Sequence, residues 1–427
     1  MNKIKINQIR FILVWMVTIW AFPTNSYAGV PPIYYQIELN ENSHYYTVQA
    51  EGTPFERGFT HGKKLKKEIR YAINRFKYDL TVPMMQSVGL PAEYHRYHNY
   101  VLQNTGFIEA IKTQTPDLLE ELEGIAKGAE VNLEDLLVYN ISFDEIFAVL
   151  EKMTGHNPAF IEGNDLNGHC SFGSIRGKKR TTSIYTCDWA RPFEGSQCLM
   201  VYKKFDGTTM LITGYVGTVG IQGVNLSNGF SVNAHSKFDL NANLNGLPSL
   251  FFARRLMEAK DKHDAVVKLS ETKIAVGLGY VITDKNGSVS YEVSPNQTEK
   301  YNPGSHWFAI ANAARVNNDL KASVKEHFKL DEQVNMKRLP KGYWEHNADS
   351  ETRYSMIKEE LTDKKWMTVY EWVNLFKQYP IGKYVDENQA TTNFWIIVEF
   401  SDKYIDICTA PGVPGELQAE TIRVKYQ

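Results

Sequence analysis

The period of the hydrophobic pattern changes once along this chain, and that change restricts the folds open to it. From about Gly58 to Met153 apolar residues recur at helical spacing: Ile69, Ile73, Phe76 and Leu80 follow one another at intervals of four, three and four among lysines and arginines. Thr115-Pro116 reads as an N-cap with proline in the first helical position, and Asn132 opens a further helix. Residues 154–168 (TGHNPAFIEGNDLNG) are polar and turn-rich, the composition of an exposed loop at a boundary. After Cys170 the runs become short, β-branched and aromatic, at 182–188, 198–204, 210–215, 279–283 and 288–293. The last two flank Asn286-Gly287, a hairpin signal, and residues 394–400 and 404–408 form a second pair. Helical patterns return in blocks at 248–259, 263–270, 350–361 and 369–376. Hairpins alternating with blocks of helix predict an α+β domain of antiparallel sheets covered by helices, not a doubly wound parallel sheet.

The first residues read as a targeting segment. Lys3, Lys5 and Arg10 precede an apolar run, Phe11 to Phe22, followed by Pro23 and a small-residue site at Ser26-Tyr27-Ala28. That is the pattern of a secretory signal peptide (residues 1–28) cleaved after Ala28, and the run is too short to span ~30 Å of hydrocarbon. The expected mature protein is periplasmic or secreted, with no stable membrane anchor. With 47 Lys and Arg against 49 Asp and Glu, the net charge of −2 gives no electrostatic footprint for nucleic acid. No CxxC cluster exists, and His95 and His98 lack metal-ligand spacing, so neither metal nor cofactor is expected and both histidines read as surface residues.

The sharpest local feature is Gly168-His169-Cys170-Ser171-Phe172, where the polar loop meets the β-rich region. A single buried cysteine is usually a small core hydrophobe. Asp188, eighteen residues on at the end of the next strand, places an acid on a strand adjacent to Cys170, and read alone it is equally a turn residue. Arg353 reads as a solvated helix residue, and Asn233 and Asn312 as turn formers at strand ends, until they are taken together.

Together with the flanking motifs, these residues resemble the cysteine N-terminal-nucleophile hydrolases of the acyl-coenzyme A:6-aminopenicillanic acid acyltransferase family, peptidase family C45. Gly52-Thr53-Pro54-Phe55-Glu56-Arg57-Gly58 with His61-Gly62 is similar to that family's GxPxExGxxHG element, and Cys170 and Asp188 stand at its spacing. Gly217-Thr218-Val219-Gly220, Asn225 to Gly229 leading to Val232-Asn233, Gly246-Leu247-Pro248, Ala311-Asn312-Ala313, Asp349 to Arg353 and Thr391 to Trp395 follow in family order. His169 stands where the family usually has glycine, Thr186-Cys187 replace its Asn-Trp, and Ala313 replaces a histidine.

The resemblance implies a four-layer αββα sandwich over residues 170–427, preceded by a helical pro-region, residues 29–169, that stays bound as an α chain. It implies that the thiol of Cys170 attacks the carbonyl of His169, so that self-cleavage frees the Cys170 α-amine. An α-amine with pKa about 7.7 to 8.0 can then take the proton of a thiol near 8.5. Asp188 would orient the amine, Arg353 would balance charge near the thiolate, and Asn312 and Asn233 would supply oxyanion donors. Outside the cytoplasm the acceptor at hand is water, so the expected activity is hydrolysis of a linear N-acyl amide: an N-acyl amino acid, a bile-salt-like conjugate or an acyl-peptide. Acyl transfer to an amine and a non-catalytic exported binding protein are the alternatives. Cys187 and Cys198 could pair as a disulfide across a hairpin.

Overall fold

The computed structural model describes residues 43–156, 158, 169–237, 242–303, 305–320, 341–384 and 390–425. The expected signal segment and its cleavage point after Ala28 lie outside the described residues. The chain is mixed α+β, and its strands form two sheets.

The eight-stranded sheet holds β1 (Tyr46–Gly52), β4 (Gln197–Lys204), β5 (Thr209–Tyr215), β6 (Gln222–Asn225), β7 (Phe230–Ser236), β8 (Leu278–Asp284), β9 (Gly287–Val293) and β10 (Thr298–Tyr301), in that spatial order. Its pairs are antiparallel except β1, which lies parallel to β4. The six-stranded sheet runs β11 (Trp307–Ile310), β2 (His169–Arg176), β3 (Arg180–Ala190), β12 (Ala390–Ser401), β13 (Tyr404–Pro411) and β14 (Glu420–Lys425), antiparallel throughout. The sheets meet face to face: Ser174 Oγ lies 2.7 Å from Ser288 Oγ, and the Tyr185 hydroxyl donates to the Ala234 carbonyl at 2.5 Å.

A short turn, Arg191–Phe193, carries the chain from β3 in one sheet to β4 in the other. Cys187 and Cys198 therefore sit in different sheets and not across a hairpin, and the expected disulfide is absent: all four cysteines are free thiols. The hairpin after Cys170 is instead β2 with β3, so Cys170 and Asp188 do lie on adjacent strands.

Upstream, among the described residues, eight α-helices follow β1, with a π-helical segment Phe76–Thr81 between the second and third: α1 (Pro54–Lys64), α2 (Lys66–Arg75), α3 (Val82–Ser87), α4 (Tyr94–Asn104), α5 (Phe107–Gln114), α6 (Pro116–Ala129), α7 (Leu133–Ile141) and α8 (Glu145–Thr154). Asn132 caps α7 by accepting from the Glu134 amide, as its position predicts. Thr115 does not cap α6; its hydroxyl donates to the Ile111 carbonyl of the preceding helix, because α5 and α6 nearly abut. His95 is exposed, but His98 is half-buried, with Nε2 3.5 Å from Asp135.

The GxPxExGxxHG segment forms the start of α1, and its glycines are packing devices. Cβ atoms built on Gly58 and Gly62 would lie under 3.0 Å from the backbone carbonyls of Glu121 and Ile125 on α6, and those on Gly124 and Gly128 of α6 would meet the carbonyls of Phe55 and Phe59. Two glycine pairs four residues apart thus let the helix backbones touch. Beside them Glu121, fully buried, accepts from Arg57 Nη2 at 3.1 Å and from both Nη atoms of Arg254, at 3.0 and 3.1 Å. Arg254 belongs to α9 (Ser249–Met257), which with α10 (Lys262–Glu271) follows β7. His61 Nε2 accepts from the Gly217 amide at 3.1 Å, which fixes the proton on Nδ1, where it is donated to the Tyr202 hydroxyl at 2.9 Å. Burial pushes the His61 imidazolium down to about 3.

On the other side, α11 (Lys341–Thr362) and α12 (Val369–Phe376) cover the six-stranded sheet. Ile357, Leu361, Trp372 and Phe376 share a buried cluster with Ile175, Ile184, Trp395 and Ile397, and Gly173 leaves room for the Trp372 ring.

Two outcomes follow. Gly62→Ala destabilises the fold by about 3 kcal/mol through backbone overlap, read as a lowered thermal midpoint, whereas Gly177→Ala, whose new methyl meets Trp366 at an ordinary 3.4 Å, leaves it nearly unchanged. Because His61 stays neutral when folded but titrates near 6.5 when unfolded, it costs stability as pH falls below 6.5, by about 1.4 kcal/mol per pH unit until about 3. His61→Gln removes that slope; equal pH dependence of urea midpoints in the two proteins, between pH 6.5 and 5, would refute this.

Candidate active site

Cys170 is the second residue of β2, directly opposite Cys187 of β3, while His169 lies opposite Asp188. Facing residues of a ladder share a face and neighbours alternate. The thiols of Cys170 and Cys187 therefore project between the sheets, and Asp188 occupies the other face. The Cys170 side chain is buried, 5% exposed, yet it borders a cavity of about 40 Å³, room for about three water molecules. The walls are largely apolar, with Phe143, Trp189, Leu250 and Leu278 among them.

Two of the expected residues, Asn312 and Arg353, converge on the backbone of Cys170. Asn312, just past β11, accepts from the Cys170 backbone N–H through Oδ1 at 3.0 Å. Arg353, wholly buried on α11, donates from Nη2 to the same Oδ1 at 2.8 Å and from Nη1 to the Cys170 carbonyl at 2.8 Å and the Ser171 hydroxyl at 3.0 Å. One turn earlier, Asp349 holds Arg353 Nε at 2.8 Å. Arg353 thus grips the main chain around the cysteine and the amide of Asn312.

The position of Asn312 is itself fixed on both sides. The buried Lys237 ammonium donates to the carbonyls of Ala311 and Ala313 at 3.1 and 2.9 Å and pairs with Glu292 at 3.2 Å. Ser350 accepts from the Ala313 amide at 2.7 Å. The Nδ2 of Asn312 donates to the Ser236 carbonyl at 3.0 Å.

Asp188, fully buried, accepts from the Thr392 hydroxyl at 2.6 Å, beside an irregularity in the β3–β12 register between Thr392 and Phe394. Asn233 is on β7, where its Nδ2 donates to Gln222 Oε1 at 3.2 Å and ties β7 to β6. The chain brings Asn312 and Arg353 to Cys170 directly, Asp188 to the neighbouring strand position, and Asn233 to a separate strand-to-strand bond. The His169 side chain lies outside the described residues.

Three residues at or beside the cavity, Tyr185, Asp144 and Glu145, are not among those the sequence singled out. The Tyr185 hydroxyl is 3.1 Å from Cys170 Sγ and 2.5 Å from the Ala234 carbonyl. It has one proton, and the closer, stronger acceptor takes it, which leaves an oxygen lone pair facing the thiol. Tyr185 alternates with Cys187 on one face of β3, so period-two reasoning from Cys187 reaches it. Asp144, between α7 and α8, lines the cavity and is hydrogen-bonded to the Ser236 hydroxyl; burial raises its carboxyl to about 6. Its neighbour Glu145 accepts from the Ser249 amide at 2.6 Å and the Ser249 hydroxyl at 3.0 Å, at the start of α9, and burial and then the charge of Asp144 push it up to about 8. The hydrogen bond with Cys170, and burial, raise the Cys187 thiol. The signal for Asp144 and Glu145 is two adjacent acids between apolar helical runs.

Among the described residues no group of three or more His, Cys, Asp or Glu could hold a metal ion, and no helix is long and apolar enough to cross a membrane. No family model matches the chain, and no curated protein matches it. A solved structure, the Anbu (Gly-1) mutant from Hyphomicrobium sp. strain MC1, aligns over 58% of this chain and 88% of its own at 6% identity and a TM-score of 0.27. That overlap is too slight to argue from, and the chemistry rests on the geometry around Cys170.

Arg353→Met leaves the Cys170 carbonyl and Asn312 Oδ1 without their buried donor and Asp349 without its nearest cation. It lowers stability by about 3–5 kcal/mol, measured by urea unfolding. A loss no larger than that of an exposed arginine such as Arg423 would show that the grip is not structural.

Proposed function

We propose that this chain is an exported, self-processing cysteine amidohydrolase of the N-terminal-nucleophile type, similar to the C45 family, and that it cleaves a linear N-acyl amide through an acyl-Cys170 intermediate. One observation carries the reading: the thiol of Cys170 borders a cavity while its backbone nitrogen is held by Asn312 Oδ1, which Arg353 holds in turn. A core cysteine has no need of such a grip on its nitrogen. A nitrogen that becomes a base does.

The order of layers supports the same reading. We read helices α11 and α12, the six-stranded sheet, the eight-stranded sheet, and α9 with α10 as the layers of an αββα sandwich, a reading supported by the packing of α11 and α12 on one sheet and of α9 and α10 on the other. Cys170 stands at the start of a strand, next to the polar loop, where a cut would leave it as an N-terminus.

In the processing step the Cys170 sulfur attacks the His169 carbonyl, the His169–Cys170 C–N bond breaks as the nitrogen takes a proton, and a thioester joins His169 to the sulfur. Water hydrolyses the thioester and returns the thiol. The freed α-amine then has Asn312 Oδ1 as acceptor and Asp188 on the adjacent strand. In turnover the amine takes the thiol proton, the sulfur attacks the substrate carbonyl, the proton passes to the leaving amine, and water releases the acid. Residues 29–169 stay attached through β1, α1 and α6, whose contacts with β4 and α9 survive a cut between His169 and Cys170.

N-terminal sequencing and intact mass of the purified protein test this. The wild type should show two fragments, one beginning at Cys170, and Cys170→Ala a single uncut chain with no amidase activity. An uncut, inactive wild type, or cutting that persists in Cys170→Ala, would overturn the reading.

A further inference from the structure

Among the described residues that line the cavity in front of Cys170, one side chain, Asp144, is a carboxylate and none is a lysine, arginine or histidine. Asp144 is half-buried, and its carboxylate is bonded to the Ser236 hydroxyl. A carboxylate offers about four acceptor sites, so it has capacity left for whatever fills the space. Glu145 does not share this role: it is buried, and Ser249 takes its two oxygens. The remaining walls are mostly apolar, and an apolar pocket with one placed charge selects its ligand by that charge.

We propose that this cavity selects amides bearing a positively charged nitrogen, with Asp144 as the counter-ion, and rejects amides bearing a carboxylate or sulfonate. The inference rests on the amidohydrolase reading and narrows it: acyl-polyamines or aminoacyl amides fit, whereas N-acyl amino acids and bile-salt-like conjugates do not. An ammonium brought beside Asp144 replaces the water that hydrates it. An anion placed there meets a like charge in poorly screened surroundings.

Charged thiol reagents test the selectivity without needing turnover. Methanethiosulfonates bearing a trimethylammonium, a hydroxyl or a sulfonate group transfer their thio-alkyl group to a cysteine and release sulfinate. The rate of modification at Cys170, located by peptide mass mapping on processed protein, is compared for wild type, Asp144→Asn and Asp144→Glu. In wild type and Asp144→Glu the cationic reagent should outpace the anionic one by at least about tenfold, after correction for their rates with a free thiol, and in Asp144→Asn that ratio should collapse toward one. Hydrolysis of an N-acyl-diaminobutane and an N-acyl-glycine with the same acyl chain is followed in parallel. Equal ratios in wild type and Asp144→Asn, or faster hydrolysis of the glycine amide, overturn the selectivity alone. A charge preference at Cys170 with neither amide hydrolysed overturns the amidohydrolase reading and leaves the selectivity standing. No modification of Cys170 by any reagent overturns both.

Discussion

Everything arranged around Cys170 depends on one carboxamide. The oxygen of Asn312 accepts from the Cys170 backbone N–H and from the Arg353 guanidinium, and its nitrogen donates to the Ser236 carbonyl. Through that side chain β2, β7, α11 and the end of β11 meet at one point. Buried amides that satisfy both ends fix a geometry more firmly than apolar contacts, because each misplacement strands a donor or an acceptor. Lys237 and Ser350, which hold the peptides on either side of Asn312, have no chemical task in the proposed reaction; they keep the amide in place.

Much of this was legible in the sequence. The change of period near Cys170, the Asn286-Gly287 hairpin and the helix blocks all correspond to observed elements, since in each the local pattern and the tertiary environment agree. Strands that went unread include β1, β6 and β7. β1 is half polar, and β4 makes it a strand; β6 is only four residues long, and β7 alternates Phe230, Val232 and Ala234 with Ser231, Asn233 and His235 although both its faces are buried. Cys187 and Cys198 show how spacing misleads: eleven positions apart, they are separated by a turn that changes sheets. In the site, residues read by motif landed near the cysteine, but their contacts could not be read. Arg353 grips the main chain because α11 runs behind β2, and Asn233 bonds Gln222 because β6 lies beside β7, both facts of packing and not of sequence.

The helical region and the sheets share their most demanding interactions. Glu121 on α6 is neutralised by Arg57 from α1 and by Arg254 from α9, so two arginines far apart in the chain meet one buried carboxylate. Removing any member strands charge in the interior, at several kcal/mol. The glycine faces of α1 and α6 bring the first of these arginines to the acid, which gives the GxPxExGxxHG segment a structural task far from the thiol. A motif can mark a fold without touching its chemistry.

The parallel pairing of β1 with β4 has a consequence for synthesis. Tyr46 faces Cys198 in the ladder, and every upstream helix lies between them in the chain. As the polypeptide emerges from a ribosome, β1 is made long before the strand that will receive it. The first third of the chain must therefore wait with an unpaired edge and amphipathic helices whose apolar faces have nothing yet to cover them, a period in which aggregation competes with folding.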